Sequence, residues 1–210
     1  IFNIDVSEQN INKIVYIETS DLKAKEKTLC SGTQANICEK KASFKDGNHN
    51  VTIKITDKAN NFEITSIEFF TDSKTPKIKK TEPKKGFASG LFYVEFQEEN
   101  PLLLKLLIEN SDVLETTIDI NSCLFSEDKK VYSCNLDIDL SGYNSQQIKY
   151  WFELTDRVNN TVMSKPIFLM VDTTLPVINE INYTIDGMTA VIILDVTESN
   201  LEKITYINND

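Results

Sequence analysis

The chain has 210 residues, enough for one or two domains at roughly 100–200 residues each. Its formal net charge of -10 argues against a nucleic-acid partner, because like charges repel a phosphate backbone. Six Ala residues stand against 24 Ile residues, and this ratio favours strands over helices. No apolar run approaches the roughly 20 residues that cross a bilayer as a helix, and no signal segment opens the sequence.

Strand patterns follow one another along most of the chain. In the first part, alternation predicts a strand around residues 51–55. In the second part, it predicts strands at 77–81, 90–98, 102–110, 148–156 and 166–173, and two more beside the last cysteine pair. The clearest alternation lies at 148–154, where Tyr150 and Phe152 face the core and Trp151 faces outward.

Internal repeats organise these strands. Residues 6–17 align with 196–207 without a gap, and residues 96–108 align with both when one insertion is allowed. The pattern Asp-x-x-Asn-Asn recurs at 57–61 and 156–160, and Asp-x-x-x-Pro recurs at 72–76 and 172–176. The repeat unit is therefore about 90–100 residues, the size of one small β-sandwich.

The landmarks divide the chain into three parts. We expect residues 1–76 to be a unit that lacks its first strand, 77–175 to be a complete unit, and 176–210 to be the truncated start of a third unit that ends after its third strand. The chain is then a window on a longer array. Exposed strand edges are an aggregation liability, so the unfinished parts would need strands from further sequence or from a neighbouring chain.

The order of these motifs resembles a known group of proteins. A strand ending in Asp-x-x-Asn-Asn, followed by a strand ending in Val-Asp-Thr-Thr-x-Pro, is similar to the end of one unit in tandem immunoglobulin-like repeats. Such repeats occur in bacterial and archaeal cell-surface proteins, adhesins and surface-layer components. The resemblance implies an all-β fold of β-sandwiches with about seven strands per unit. Asn60 and Asn159 replace the Gly usual in the turn, and Asn also tolerates positive φ.

The four cysteines occupy matching places, with one pair after the third strand of each of the first two units. We therefore predict the disulfides Cys30–Cys38 and Cys123–Cys134, which indicate an oxidising, extracellular setting. A zinc site is the alternative, although the spacing is not that of Cys-x-x-Cys pairs. A second alternative to the disulfides is that all four cysteines are buried free thiols. Three Asn-x-Thr sequons, at Asn50, Asn159 and Asn182, agree with export and are candidate glycosylation sites.

Catalytic patterns are missing from the sequence, so we expect no enzyme. It has no nucleophile elbow, phosphate-binding loop or zinc-protease motif. The only histidine, His49, follows Gly47 and Asn48 and is expected to be a solvated turn residue.

Calcium is the one cofactor that the sequence suggests. Carboxylates concentrate near the junctions between units, and Ca²⁺ prefers such oxygen ligands. The candidate ligands are Asp72, Asp172, Glu98 and Glu198. Neither linker carries an Asp-x-Asn-Asp-Asn run, and Asp57 and Asp156 also fit the simpler role of capping a turn.

One surface stands out as a candidate interface. The strand phases place four apolar side chains on the outer face of the second unit: Leu107, Trp151, Phe168 and Met170. The matching first-unit positions are more polar: Thr52, Lys54, Glu68 and Phe70. Exposed apolar area usually marks an interface, but a phase error of one residue would place these side chains in the core.

Two functions fit this sequence. The first is a structural, extracellular segment of a long cell-surface, surface-layer or filament protein, which acts by spacing and by contacts with neighbouring repeats or copies. The second is an adhesin or carbohydrate-binding module that contacts surface glycans, perhaps beside an enzyme outside this window. A carbohydrate module needs several aromatic residues on one face, and the sequence has a single Trp. The first function is therefore favoured.

Overall fold

The structure is a computed structural model that describes residues 1–20, 23–32 and 37–207. The described residues form strands joined by turns, with two short 3-10 segments at Ile120–Ser122 and Ser141–Tyr143. The chain divides into two compact units, the first of Ile1–Thr75 with Asp156–Asn160 and the second of Pro76–Thr155 with Thr161–Asp210. Among the described residues, no helix has the length and apolar character that crossing a membrane requires.

The first unit contains a four-stranded and a two-stranded sheet. Its strands are β1 (Phe2–Asp5), β2 (Ile11–Glu18), β3 (Lys27–Ser31), β4 (Ile37–Lys40), β5 (Gly47–Asp57) and β6 (Phe62–Thr71). The larger sheet has the order β3-β2-β5-β6, and β1 pairs with β4. Alternate residues of these strands form the core, which includes Phe2, Ile14, Tyr16, Val51 and Ile53.

The second unit contains two facing sheets. Its strands are β7 (Lys77–Glu82), β8 (Phe87–Ala88), β9 (Leu91–Gln97), β10 (Pro101–Glu109), β11 (Val113–Ile118), β12 (Leu124–Ser126), β13 (Val131–Asp137), β14 (Gln147–Asp156), β15 (Thr161–Met163) and β16 (Ile167–Val171). One sheet has the order β12-β13-β9-β7, and the other has the order β11-β10-β14-β16-β8, with β15 also paired to β14. The arrangement is an all-β, immunoglobulin-like sandwich, the fold class that the sequence predicts.

The core of this sandwich follows the alternation of its strands. Along β14, Ile148, Tyr150, Phe152 and Leu154 are at most 1% exposed, whereas Trp151 is half-buried on the other face. The inward residues of β9, β10 and β16 pack against them. Burying one such side chain contributes about 1.5–3 kcal/mol, so this face of each strand is strongly specified.

A hairpin follows the sandwich. It consists of β17 (Val177–Asp186) and β18 (Thr189–Thr197), which pair only with each other. Every residue of β17 is exposed. Residues 198–207 contain no strand, so the predicted third strand of the third part is not formed. A strand needs a hydrogen-bonded neighbour, and none of the described residues pairs with this segment.

Candidate interaction surface

The outer face of the larger sheet of the second unit carries the predicted apolar residues. On this face, Lys149 Nζ lies 2.5 Å from Glu109 Oε2, so this ion pair joins β14 to β10. Leu107 lies two residues before Glu109, and Trp151 lies two residues after Lys149. Because the two strands are antiparallel, both steps lead in the same direction, and Leu107 and Trp151 are therefore neighbours. On the other side of β14, Phe168 is the register partner of Lys149, and Met170 is the partner of Gln147. The fold thus brings all four predicted residues to one face, which we call the outer patch: Leu107, Trp151, Phe168 and Met170.

The outer patch mixes four apolar side chains with the Lys149–Glu109 ion pair, since Lys149 is the register partner of Phe168. Phe168 is 62% exposed and Met170 is 38% exposed, while Leu107 and Trp151 are half-buried. The Lys149 ammonium lies 5.2 Å from the centroid of the Trp151 ring, within the range of a cation–π contact. Lys149 thus lies between the two aromatic side chains of the patch.

A second ion pair borders the same face. Lys105 Nζ lies 2.8 Å from Glu115 Oε1 on the neighbouring strand. The hydrogen bond to Glu115 raises the pKa of Lys105, so its ammonium stays charged at neutral pH. These charges lie beside Leu107, whose register partner is Glu115.

On the corresponding face of the first unit, polar side chains form hydrogen bonds with one another across the sheet. Thr52 Oγ1 and Ser66 Oγ are hydrogen-bonded at 3.0 Å, and Asn50 Nδ2 donates to Glu68 Oε1 at 2.8 Å. Lys54 Nζ lies 4.3 Å from the centroid of the Phe62 ring. The face also carries the exposed side chains of Phe62 and Ile64, so it mixes apolar residues with polar groups that already have partners.

The cysteines lie as two local disulfides. Cys30 is joined to Cys38 with a Cα–Cα distance of 6.0 Å, and Cys123 is joined to Cys134 with a distance of 4.5 Å. These are the pairs predicted from the repeat. Among the described residues there is no free cysteine.

The three sequons differ in their surroundings. Asn159 lies exposed in a turn at φ 67°. Asn182 is exposed on β17, where its amide donates to Glu180 at 2.8 Å. Asn50 is half-buried on β5 and hydrogen-bonded to Glu68. Asn159 and Asn182 are therefore the more accessible acceptors, and glycosylation stays a prediction at each position.

The four predicted calcium ligands each accept a backbone N–H group. Glu98 accepts from Asn100 at 2.8 Å, and Asp72 accepts from Lys74 at 2.9 Å. The described residues contain no group of three or more acidic, His or Cys side chains that converges as a metal site. Turn capping accounts for these carboxylates, and calcium binding stays a prediction.

Two of these carboxylates share one partner. Asp172 Oδ2 accepts from the side chain of Asn200 at 2.6 Å, and Glu198 Oε1 accepts from the Asn200 N–H at 2.8 Å. The hydrogen bond from the Asn200 side chain, followed by that from the Thr174 N–H, holds the pKa of Asp172 below its usual value. Asp172 therefore stays ionised, and its hydrogen bond with Asn200 holds the segment that follows β18.

His49 is not the solvated turn residue that the sequence predicts. It lies on β5, is 6% exposed, and packs between Phe44 and Phe69 with ring-centroid distances of 5.1 and 5.3 Å. Its Nδ1 lies 2.5 Å from Glu18 Oε1, and its Nε2 lies 2.7 Å from the Lys45 carbonyl oxygen. The expectation was wrong because the strand starts at Gly47, and alternation then turns His49 inward.

Sequence reasoning also missed an apolar groove in the first unit. The groove has a volume of about 360 Å³ and lies beside β1 and the end of β6. Its lining residues are Ile1, Phe2, Ala42, Phe44, Ile67, Phe69 and Thr71. The signal in the sequence was the predicted lack of a first strand in this unit, but its effect on exposure required the three-dimensional structure.

Comparison with known proteins gives structural neighbours only. A scan against protein-family models finds no match, and a search of curated proteins finds none either. Fibronectin(III)-like modules of Clostridium thermocellum CbhA are similar, with a TM-score of 0.43 and 10% identity over 81% of this chain and 85% of theirs.

Two further solved structures are similar at this level. A tetra-tandem repeat in the extending region of a large adhesion protein gives a TM-score of 0.38 and 14% identity over 92% of this chain and 56% of its own. The FN1–FN3 domains of chicken CNTN1 give a TM-score of 0.36 and 8% identity over 90% of this chain and 67% of theirs. At these scores, the assignment of the fold depends on the strands and sheets described above.

Proposed function

We propose that this chain is a structural, extracellular segment of a long cell-surface, surface-layer or filament protein, which acts by spacing its units and by protein–protein contacts. The observation that carries the proposal is the outer patch. It lies on one unit, whereas the matched positions of the first unit are Thr52, Lys54, Glu68 and Phe70. A feature that differs between repeats of one fold is not required by the fold, and contact with a partner explains it.

The cysteines support an extracellular setting. Disulfides persist in oxidising compartments, and each unit carries one. The two bonds close short loops, with sequence separations of 8 and 11 residues. In the chain-entropy model, loops of this length contribute about 2–3 kcal/mol each. Units stabilised in this way suit a protein that works outside the cell.

The outer patch has enough apolar area for a specific contact. A buried aromatic side chain covers about 150–250 Å², and apolar burial contributes roughly 25 cal/mol per Å². Burying Trp151 and Phe168 with their neighbours would therefore contribute several kcal/mol. Because Trp151 is the only Trp in the chain, its fluorescence reports this contact directly.

The test compares two adjacent residues on opposite faces of β14. Trp151→Ser should weaken association while the second unit stays folded, because the side chain is half-buried on the outer face. Phe152→Ser should unfold the unit, because Phe152 is 0% exposed and truncating a core Phe costs about 3–5 kcal/mol. The measurements are sedimentation velocity for association and urea unfolding for stability.

The fluorescence of Trp151 supplies the decisive observation. In the wild type, its emission should shift to shorter wavelength as the protein concentration rises, because the ring leaves water. Emission that is independent of concentration, or loss of the fold in Trp151→Ser, would defeat the proposal.

The second candidate function is carbohydrate binding. Trp151 and the exposed ring of Phe168 lie on the same face and favour it, because sugars stack on aromatic faces. Changes in Trp151 emission on adding glycans to dilute protein would support this function over the structural one.

A further inference from the structure

A run of lysines follows one edge of the second unit. Residues 77–85 contain five lysines and one glutamate, a net charge of +4, although the whole chain carries -10. All the other residues together therefore carry a net charge of -14. We call this segment the basic edge, and all five of its lysines are exposed: Lys77, Lys79, Lys80, Lys84 and Lys85.

A bulge in β7 increases the number of lysines on the outer face of the smaller sheet. Ile78 is the register partner of Phe96, which is 0% exposed, so Ile78 faces the core. The register then shifts between Ile78 and Lys80, and Lys79 is the extra residue of the bulge. Without this shift, alternation would turn Lys80 towards the core. With it, Lys80 lies on the outer face opposite Glu95.

The two lysines after β7 lie on a crossover that is fixed at both of its ends. Before them, the Pro83 carbonyl oxygen accepts a 2.7 Å hydrogen bond from the buried phenol of Tyr150. After them, the Gly86 carbonyl oxygen accepts from the Met170 N–H at 3.2 Å. Residues 84–85 therefore extend from a backbone that is already held in place, which lowers the entropic cost of binding a ligand.

Most charges of the basic edge are left for an external partner. Among the described residues, Lys80 is the one lysine of this segment that forms an ion pair, with its Nζ 2.7 Å from Glu82 Oε1. The hydrogen bond from Lys80 lowers the pKa of Glu82, and the charges of Lys80 and Lys84 lower it further. Glu82 therefore stays ionised and offsets one of the five positive charges.

Protection of the sheet edge explains only part of this pattern. Lysines and bulges on an edge strand discourage pairing with another strand, and within the described sheets β7 has β9 as its one neighbour. This role accounts for Lys77, Lys79 and Lys80. It does not account for residues 84–85, which lie beyond the end of β7 and have no strand edge to protect.

The chemistry of the basic edge favours one class of partner. A protein partner needs apolar residues at the centre of the contact, but Ile78 and Pro83, which lie between these lysines, are half-buried. An acidic peptide strand would need the regular edge that the bulge interrupts. Lysines are point charges on flexible stems and lack the planar fork with which Arg grips a single anion. They therefore suit a polymer that spreads its negative charges along its length.

We propose that the basic edge binds an acidic polysaccharide, whose carboxylates meet the ammonium groups of these lysines. The inference rests on the extracellular setting proposed above, but it concerns a different surface from the outer patch. The negative charge elsewhere on the chain confines the polymer to this edge. Salt limits the reach of each exposed charge to about 8–10 Å, so the basic edge attracts the polymer locally.

The experiment measures the binding of polygalacturonate, a linear polymer of uronic acid, to the whole chain by isothermal titration calorimetry. The wild type should bind it at about 0.1 M salt and lose this binding at about 1 M salt, where charges are screened within about 3 Å. Neutral dextran should not bind. No binding of polygalacturonate at the lower salt concentration, or equal binding of dextran, would overturn the inference.

Charge reversal tests the position of the site. Lys79→Glu combined with Lys84→Glu should weaken the affinity for polygalacturonate by roughly tenfold or more, because two ion pairs are replaced by repulsion. The matched control combines Lys40→Glu with Lys41→Glu in the first unit, where both lysines are also exposed and the net charge changes equally. The control should bind like the wild type. Equal losses in the two double variants would mean that net charge alone decides binding, and the proposed site would be wrong.

Two further measurements separate this inference from its alternatives. Poly-glutamate represents an acidic peptide, and tighter binding of poly-glutamate than of polygalacturonate would overturn the choice of a polysaccharide. Trp151→Ser should bind polygalacturonate like the wild type, and loss of binding in this variant would place the site on the outer patch. Sedimentation velocity reports association through the outer patch and calorimetry reports the basic edge, so failure of either proposal is recognised separately.

Discussion

Tyr150 offers a quantitative test of the core of the second unit. Its side chain is 0% exposed, and its Oη donates to the Pro83 carbonyl oxygen at 2.7 Å. Tyr150→Phe keeps the ring contacts with Phe92 and Phe152 but leaves this carbonyl without that donor. Loss of one buried hydrogen bond should lower the free energy of unfolding at neutral pH by about 1–2 kcal/mol.

The same phenol makes the stability depend on alkaline pH. Burial, reinforced by the charge of Glu82 and opposed by a hydrogen bond with Thr81, raises the pKa of Tyr150 from 10.0 to about 12. Between these values the unfolded chain has lost a proton that the folded chain still holds. The free energy of unfolding therefore falls as the pH rises. The raised pKa of Tyr150 contributes roughly 2–3 kcal/mol to the free energy of unfolding, because one pKa unit corresponds to about 1.4 kcal/mol. This contribution is fully present below about pH 10.

The assay is urea unfolding of the wild type and Tyr150→Phe from about pH 8 to about pH 12. Groups common to both proteins cancel in the difference between their free energies of unfolding. At the lowest pH, the wild type should have the larger free energy of unfolding. This difference from Tyr150→Phe should shrink as the pH rises and change sign at the highest pH. A difference that stays constant across this range would refute a buried, neutral phenol at Tyr150.

Three further substitutions test the turns and the first core. Asp156→Ala should lower the unfolding midpoint more than Asp57→Ala. Both carboxylates accept hydrogen bonds within their turns, but Asp156 is 0% exposed whereas Asp57 is half-buried. Equal shifts in urea unfolding would contradict this order. His49→Ala should destabilise the first unit by about 2–3 kcal/mol, because it removes a buried ring and leaves Glu18 without that partner. An unchanged midpoint would mean that the ring is solvated after all.

Much of the fold could be predicted because its signals are local and repeated. A side-chain period of two places Ile148, Tyr150 and Phe152 on one face of a strand whatever lies on the other side of it. The positive φ of Asn60 and Asn159, at 68° and 67°, follows from a turn motif that occurs twice. The cysteine pairs were predicted for the same reason, because each recurs at the same place in its unit.

The candidate surfaces were predictable only in part. The strand phases placed Trp151 and Phe168 outward, but the position of Leu107 beside Trp151 depends on the register between β10 and β14. No local pattern encodes that register, because it is set by the packing of the buried faces of both strands. The Lys149–Glu109 ion pair follows from the same register, and the Lys105–Glu115 pair follows from the register between β10 and β11.

By itself, the sequence determined the strands, their inward faces, the repeat and the positions of the cysteines, since these depend on residues close together in the chain. Tertiary structure alone decided the burial of His49, which needs Glu18, Lys45 and Phe69 from three separate segments around one ring. It also decided that Phe69 is half-buried while Leu169, at the matching position of the second unit, is 2% exposed. Burial depends on which strand lies alongside, and that neighbour is distant in the chain.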